Sequence, residues 1–206
     1  MKSLVVNCSL KATTSEALLE AVGKFSDYAV IQFRDVDEGY RVDKDIDAVV
    51  ISGSAARIVS PSDRALFEGV VRLIKTCSLP TLGICFGHQL ICWTLGAKVG
   101  ALAQAVVRFE KVRVVDVDGL FAGFAQQQTI PLAESHYDYV LRESLDQAGM
   151  MLLADSSSCE VEAVKHKSKP FYGVQFHPER INIESESHPE GHIVIENFYR
   201  NIAKRY

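Results

Sequence analysis

The first half of the chain alternates short apolar runs, rich in β-branched residues, with segments that carry apolar residues at helical spacing. The runs fall at residues 4–6, 28–33, 48–51 and 81–84, and the helical segments at about 14–22, 62–76 and 87–95. Strands that are apolar along their whole length are buried on both faces, and helices between them act as crossover connections. The pattern predicts a doubly wound α/β fold with a mostly parallel central sheet flanked by helices.

The second half has a different texture. Its apolar runs, at residues 106–117, 150–154, 160–166 and 171–176, include neighbours joined by a short connection at 167–170. Strands joined in this way pair antiparallel, so we expect additional antiparallel strands on the sheet. Residues 192–204 carry apolar side chains at helical spacing and predict a packing helix. Because the sequence contains no repeat or linker, we expect residues 1–206 to form a single domain.

Composition excludes several classes of protein. The net charge is −4 and the basic residues are scattered, which argues against nucleic acid as a partner. The apolar runs are too short for a membrane span or a signal peptide. The five cysteines are odd in number and share no C-x-x-C spacing, which is typical of reduced thiols. We therefore expect a cytoplasmic protein.

One of these cysteines lies in a distinctive setting. The predicted strand at 81–84 runs directly into Gly83-Ile84-Cys85-Phe86-Gly87 and then into a helix, the context in which a nucleophile is held on a tight turn. Glycines at 83 and 87 remove side chains where the chain reverses. The helix N-terminus favours the reactive thiolate. The alternative is a buried structural cysteine in an ordinary βα loop.

A histidine and a glutamate follow another predicted strand near the C-terminus. His177 precedes Pro178, which favours an extended backbone, and residues two apart in an extended segment face the same side. Glu179 can therefore orient the His177 imidazole, which in turn can take the proton of Cys85. The sequence predicts a Cys85-His177-Glu179 catalytic triad at the carboxyl edge of the sheet.

Together, GICFGHQ at residues 83–89 and GVQFHPE at 173–179 resemble the motifs of class I (triad) glutamine amidotransferases. Residues 47–53 resemble the family's strand and oxyanion loop, and residues 135–138 resemble its S-H-x-D segment. Residues 159–170 are most similar to the glutaminase part of GMP synthases, in the archaeal form where that part is a separate polypeptide. The family fold is a doubly wound, flavodoxin-like α/β domain.

This resemblance implies a mechanism and a partner. Cys85 would form a thioester with glutamine, His177 would protonate the departing ammonia, and no cofactor or metal would be needed. Ammonia would pass to a separate synthetase of the ATP-pyrophosphatase type, which aminates XMP to GMP. The pocket and the oxyanion site would be formed by Phe86, Gly53, Ser54, Gln89, Ser135 and His136.

The chain departs from the family pattern in four segments. Residues 52–55 read S-G-S-A in place of S-G-G-P, and residues 7–10 lack the usual G-G-Q or G-S-Q turn. Residues 103–109 lack the E-Y-G-like loop, and residues 180–191 form a longer polar connection. These segments surround the predicted pocket and leave the triad unchanged.

Three other functions stay open at the level of sequence. The altered pocket segments would also suit a free-standing hydrolase of γ-glutamyl compounds. The chain could serve a different pathway, as in anthranilate synthase, or be a non-catalytic regulatory homologue.

A metal site is a further alternative, with His188 and His192 as ligands. Pro189 and Gly191 are expected to break the helix that would place both histidines on one face, which argues against this site.

Overall fold

A computed structural model describes residues 1–11 and 13–205, and a nine-stranded mixed sheet lies at its centre. Its strands are β1 (Lys2–Asn7), β2 (Asp27–Gln32), β3 (Ala48–Ile51), β4 (Thr81–Ile84), β5 (Val99–Val114), β6 (Thr129–Val140), β7 (Met150–Asp155), β8 (Ala163–His166) and β9 (Phe171–Val174). A separate hairpin consists of β10 (Asn182–Ile183) and β11 (Glu186–Ser187). The helices are α1 (Glu16–Gly23), α2 (Pro61–Ala65), α3 (Glu68–Thr76), α4 (Phe86–Thr94) and α5 (Glu190–Asn197).

The order of the strands confirms the predicted fold class. The sheet runs β2-β1-β3-β4-β9-β8-β7-β5-β6. The first five strands are parallel, and β8, β7, β5 and β6 continue the sheet with antiparallel pairs. In an open sheet of this kind the carboxyl ends of the parallel strands form one edge, with a crevice where the strand order reverses, here between β1 and β3.

Two apolar layers cover the parallel strands. In β1, Leu4 and Val6 face a layer that includes apolar residues of α3 and α4, whereas Val5 faces a layer that includes residues of α1 and α5. This alternation follows from the two-residue period of a strand. Among the described residues, no helix is both long enough and apolar enough to cross a membrane.

The structure corrects three predicted elements. The helix expected at 62–76 is two helices, α2 and α3, separated at Phe67, which stacks on Phe33 in the core. The strand expected at 160–166 begins at Ala163. Strand β6 was not predicted, although it pairs with β5 along most of its length.

Candidate active site

Cys85 lies on a strained turn at the carboxyl end of β4. Its backbone has φ 50° and ψ −103°, a left-handed conformation that is costly for a residue with a side chain. The flanking glycines make the turn possible. A Cβ at Gly83 would lie 2.6 Å from the Gly87 carbonyl carbon, and a Cβ at Gly87 would lie 2.2 Å from the Ile51 carbonyl oxygen. The predicted elbow is therefore present in the backbone.

His177 and Glu179 lie beside this turn, just beyond β9. His177 Nδ1 is 2.7 Å from Glu179 Oε1, and both side chains are buried. Gly53, in the loop after β3, packs against the other side of the imidazole. A Cβ at Gly53 would lie 3.0 Å from His177 Cε1, 3.7 Å from His177 Nε2 and 3.7 Å from Cys85 Cβ. The ends of β3, β4 and β9 thus bring the three predicted catalytic residues together.

The histidine and the glutamate stabilise each other's charge. Burial opposes an imidazolium, but the Glu179 carboxylate and the Cys85 sulfur outweigh it and raise the pKa of His177 to about 9. Burial would raise the pKa of Glu179, but His177 lowers it below its ordinary value. A protonated His177 held by a carboxylate is suited to stabilise a nearby thiolate and to donate a proton to a leaving group.

A chain of hydrogen bonds links the nucleophile to the strand β6. Gln175 Nε2 lies 3.6 Å from Cys85 Sγ, and Gln175 Oε1 accepts a hydrogen bond from Gln89 Nε2 at 2.9 Å. Gln89 Nε2 also donates to the Asp138 carbonyl oxygen at 2.7 Å. These amides fix the position of the sulfur relative to one wall of the site.

A cavity of about 510 Å³ opens over the sulfur. Its lining includes every residue that the sequence assigned to the site: Gly53, Ser54, Cys85, Phe86, Gln89, Ser135, His136, His177 and Glu179. Cys85 Sγ lies 3.7 Å from the Ser135 carbonyl oxygen. Phe86 begins α4, where the first N–H groups of a helix have no intrahelical acceptor and can serve an oxyanion. Its ring is buried against Phe67, with 4.5 Å between centroids.

Buried carboxyl groups lie behind this wall. His136 Nδ1 donates to the Asp138 carbonyl oxygen at 3.0 Å, and its Nε2 faces Glu134 Oε2 at 3.4 Å. Burial, together with Glu162, raises the pKa of Glu134 well above its ordinary value, and burial lowers the pKa of His136. Burial also raises the pKa of Glu162 to about 7. Glu134 and His136 therefore meet as neutral groups.

The histidines considered as metal ligands face different partners. His188 lies 3.5 Å from Glu186 Oε2, whereas His192 Nδ1 lies 3.3 Å from Lys24 Nζ. Gly191 does not break a helix as expected, because α5 begins at Glu190 and includes it. Within residues 1–11 and 13–205, no three His, Cys, Asp or Glu side chains are grouped so as to hold a metal ion.

The set of site residues predicted from sequence omits four side chains. Gln175 lies inside the second motif, so its position was a usable signal. Asp138 belongs to the S-H-x-D segment, but its carboxylate acts through Arg57, 81 residues away in sequence. Glu134 lies on the unpredicted strand β6. No local pattern distinguishes Arg57 from other surface arginines.

Similar proteins share both sequence and architecture with this chain. It is 42% identical over 132 residues to the glutamine-hydrolyzing subunit of a GMP synthase from Methanothermobacter thermautotrophicus, a match that covers 63% of this chain and 64% of the relative. It is 39% identical over 137 residues to the protein of that name from Archaeoglobus fulgidus, covering 66% of this chain and 68% of the relative. The first match therefore spans slightly less than two thirds of the relative's own length.

Solved structures extend the likeness over the whole chain. A Thermoplasma acidophilum protein, provisionally described as the corresponding GMP synthase subunit, superposes with a TM-score of 0.82 at 27% identity, covering 100% of this chain and 95% of its own. A Thermotoga maritima glutamine amidotransferase shares the fold, with a TM-score of 0.68 at 18% identity over 86% of this chain and 76% of its own. The family described as glutamine amidotransferase class-I matches residues 6–202. The chain belongs to the class-I glutamine amidotransferase family.

Proposed function

We propose that this protein hydrolyses glutamine to glutamate and ammonia through a thioester on Cys85. The observation that carries the proposal is the strained turn of Cys85 beside the buried pair of His177 and Glu179, at the floor of an open cavity. An exposed edge of a parallel sheet, a sulfur at a helix N-terminus and an oriented imidazole together form a nucleophilic site.

The reaction proceeds in two steps. The Cys85 sulfur attacks the carbonyl carbon of the glutamine side chain, and backbone N–H groups of Phe86 and of the Gly53–Ser54 loop stabilise the oxyanion, each by about 3 kcal/mol. His177 gives its proton to the amide nitrogen as the C–N bond breaks and ammonia leaves. His177 then takes a proton from water, which attacks the thioester and releases glutamate.

Ammonia would then be used by a separate synthetase, which aminates XMP to GMP. The names of the relatives, each the glutamine-hydrolyzing subunit of a GMP synthase, support this partner. The free thiols of all five cysteines support a reducing compartment, for which we propose the cytoplasm.

The test is glutamate release by the purified protein, alone and with a GMP-forming synthetase. We expect release that is abolished by Cys85→Ala, and GMP formation from XMP, ATP and glutamine only when both proteins are present. Cys92→Ala is the matched control, because that cysteine lies on the same helix but is buried in the core. Absence of glutamate under either condition would exclude the proposal.

Two results would favour a different function. Cleavage of a γ-glutamyl dipeptide at rates far above glutamine would identify a γ-glutamyl hydrolase. Failure of Cys85 to form a covalent adduct with a glutamine-analogue electrophile would indicate a non-catalytic homologue.

A further inference from the structure

Arg57 places a cation in the wall of the cavity, in the loop between β3 and α2. Its Nε donates to Asp138 Oδ1 at 2.6 Å, and its Nη2 lies 2.5 Å from the same oxygen. The Val59 N–H donates to the other oxygen, Asp138 Oδ2, at 3.1 Å. The guanidinium also lies over the Tyr137 ring, 4.9 Å from its centroid. These contacts hold the side chain in one orientation before any substrate binds.

The contacts leave part of the guanidinium available. An arginine carries five N–H donors, and the carboxylate of Asp138 occupies the side formed by Nε and Nη2. No other described residue accepts a hydrogen bond from Nη1, and 36% of the side chain is exposed. The end formed by Nη1 and Nη2 is therefore free to bind a second carboxylate in the bidentate geometry that arginine favours.

This cation is tied to the nucleophile through a short series of contacts. Arg57 is fixed by Asp138, whose carbonyl oxygen accepts from Gln89, and the amide of Gln175 connects Gln89 to the sulfur of Cys85. In an extended glutamine, the α-carboxylate carbon lies about 5 Å from the carbon that the sulfur attacks. Nucleophile and cation thus belong to one rigid wall, so the cation can select substrates by their far end.

The other charged groups of the cavity are less suited to this task. Arg180 Nε lies 3.8 Å from Glu179 Oε1, so its charge is directed at the triad. His136 is buried, its pKa is lowered by that burial, and its Nδ1 is engaged by a carbonyl oxygen. Among the described residues of the lining, Arg57 is the cation with an unused fork.

We propose that Arg57 binds the α-carboxylate of the substrate and that Asp138 positions it, so that the site takes free amino acids with an unblocked carboxylate. The inference rests on the proposed function, because the α-carboxylate in question is that of glutamine. A peptide or an α-amide, which lacks this carboxylate, would leave the guanidinium without its second partner.

The test compares L-glutamine with L-glutaminamide, in which the α-carboxylate is an amide, by ammonia release. We expect the wild-type protein to prefer glutamine by roughly 10- to 100-fold in kcat/KM, the worth of one charge-assisted pair. Arg57→Met should lose most of that preference through a higher KM for glutamine, with kcat little changed and the amide unaffected. Arg57→Lys, which keeps the charge without the fork, should retain part of it.

Two further variants serve as controls. Arg64→Met alters an arginine that braces the same loop through the Ile58 carbonyl oxygen and lies outside the cavity lining; it should keep the wild-type preference. Arg180→Met removes the competing cation. An unchanged preference in Arg57→Met, or a preference lost in Arg180→Met instead, would overturn the assignment.

Binding separates this inference from the proposed function. Calorimetric titration of L-glutamine into Cys85→Ala, with and without Arg57→Met, requires no turnover. If glutamine is not hydrolysed but binds at least about tenfold more weakly without Arg57, the proposed reaction fails and the carboxylate site stands. If hydrolysis occurs but binding does not depend on Arg57, the reaction stands and the carboxylate site fails.

Discussion

The Glu179 carboxylate stabilises a protonated His177 inside the protein, and Glu179→Gln tests how much. Burial disfavours the imidazolium, but Glu179 and the Cys85 sulfur outweigh it and raise the pKa of His177 from 6.5 to about 9. At about 1.4 kcal/mol for each pH unit, this rise corresponds to about 3 kcal/mol in the free energy of unfolding. The figure is an upper bound for Glu179, because the sulfur supplies part of it.

A raised pKa means that the folded protein binds this proton more tightly than the unfolded chain. The stabilisation is complete below pH 6.5 and is lost as the pH rises through about 9. In Glu179→Gln the buried imidazole has no carboxylate partner and stays neutral, so the variant lacks the contribution at every pH.

Urea denaturation of both proteins at about pH 6 and about pH 10 measures the effect. We expect the difference in unfolding free energy to shrink by about 2 to 3 kcal/mol between the two conditions. Cys85→Ala, measured alongside, gives the share of the sulfur. A difference of equal size at both pH values would refute the reasoning, since it would mean that Glu179 acts through packing and not through the charge of His177.

Three smaller changes test neighbouring contacts. Gly53→Ala places a methyl group 3.0 Å from His177 Cε1, so kcat/KM for glutamine should fall roughly 10- to 100-fold with Tm nearly unchanged; a normal rate would contradict this. Gly87→Ala would bring Cβ within 2.2 Å of the Ile51 carbonyl oxygen, and urea denaturation should show a loss of about 2 to 4 kcal/mol. Burial raises the pKa of Glu134, so Glu134→Gln, which resembles the neutral acid, should match the wild-type rate at neutral pH and decline less at alkaline pH. A pH profile of kcat/KM checks this, and a steeper alkaline decline would count against it.

The parallel strands and the position of the triad were accessible from sequence for one physical reason. Strands buried on both faces are apolar throughout, so β3, β4 and β9 stand out from their surroundings. Because parallel strands end at one edge, any side chains just beyond them must lie close together. Cys85 and His177 are therefore brought together by topology alone.

Strand β6 was missed because its inward-facing side chains are polar. Glu134, His136 and Asp138 all point into buried surroundings, so the strand lacks the apolar alternation by which half-buried strands are recognised. The same polar residues shape the wall of the cavity. The element that sequence patterns describe worst is thus one that carries part of the site.

The division of the helix at 62–76 depends on a contact between distant parts of the chain. A Cβ at Gly69 would lie 1.6 Å from the Val36 carbonyl oxygen, so the start of α3 is packed directly on the backbone of another segment. Apolar spacing continues across the break at Phe67. Local periodicity therefore predicts one helix where tertiary packing requires two.

The two loops that depart from the family pattern contact each other beside the cavity. Ser52 Oγ accepts a hydrogen bond from the Cys8 N–H at 2.9 Å and donates one to the Gly53 carbonyl oxygen at 3.1 Å. Ser54 Oγ accepts from a backbone N–H two residues further on, at 3.1 Å. Hydroxyl groups can fix a turn in this way where other sequences use glycine and proline. Because Arg57 follows in the same loop, the departures remodel the wall where the substrate's α-carboxylate would bind and leave the nucleophile's own turn unchanged.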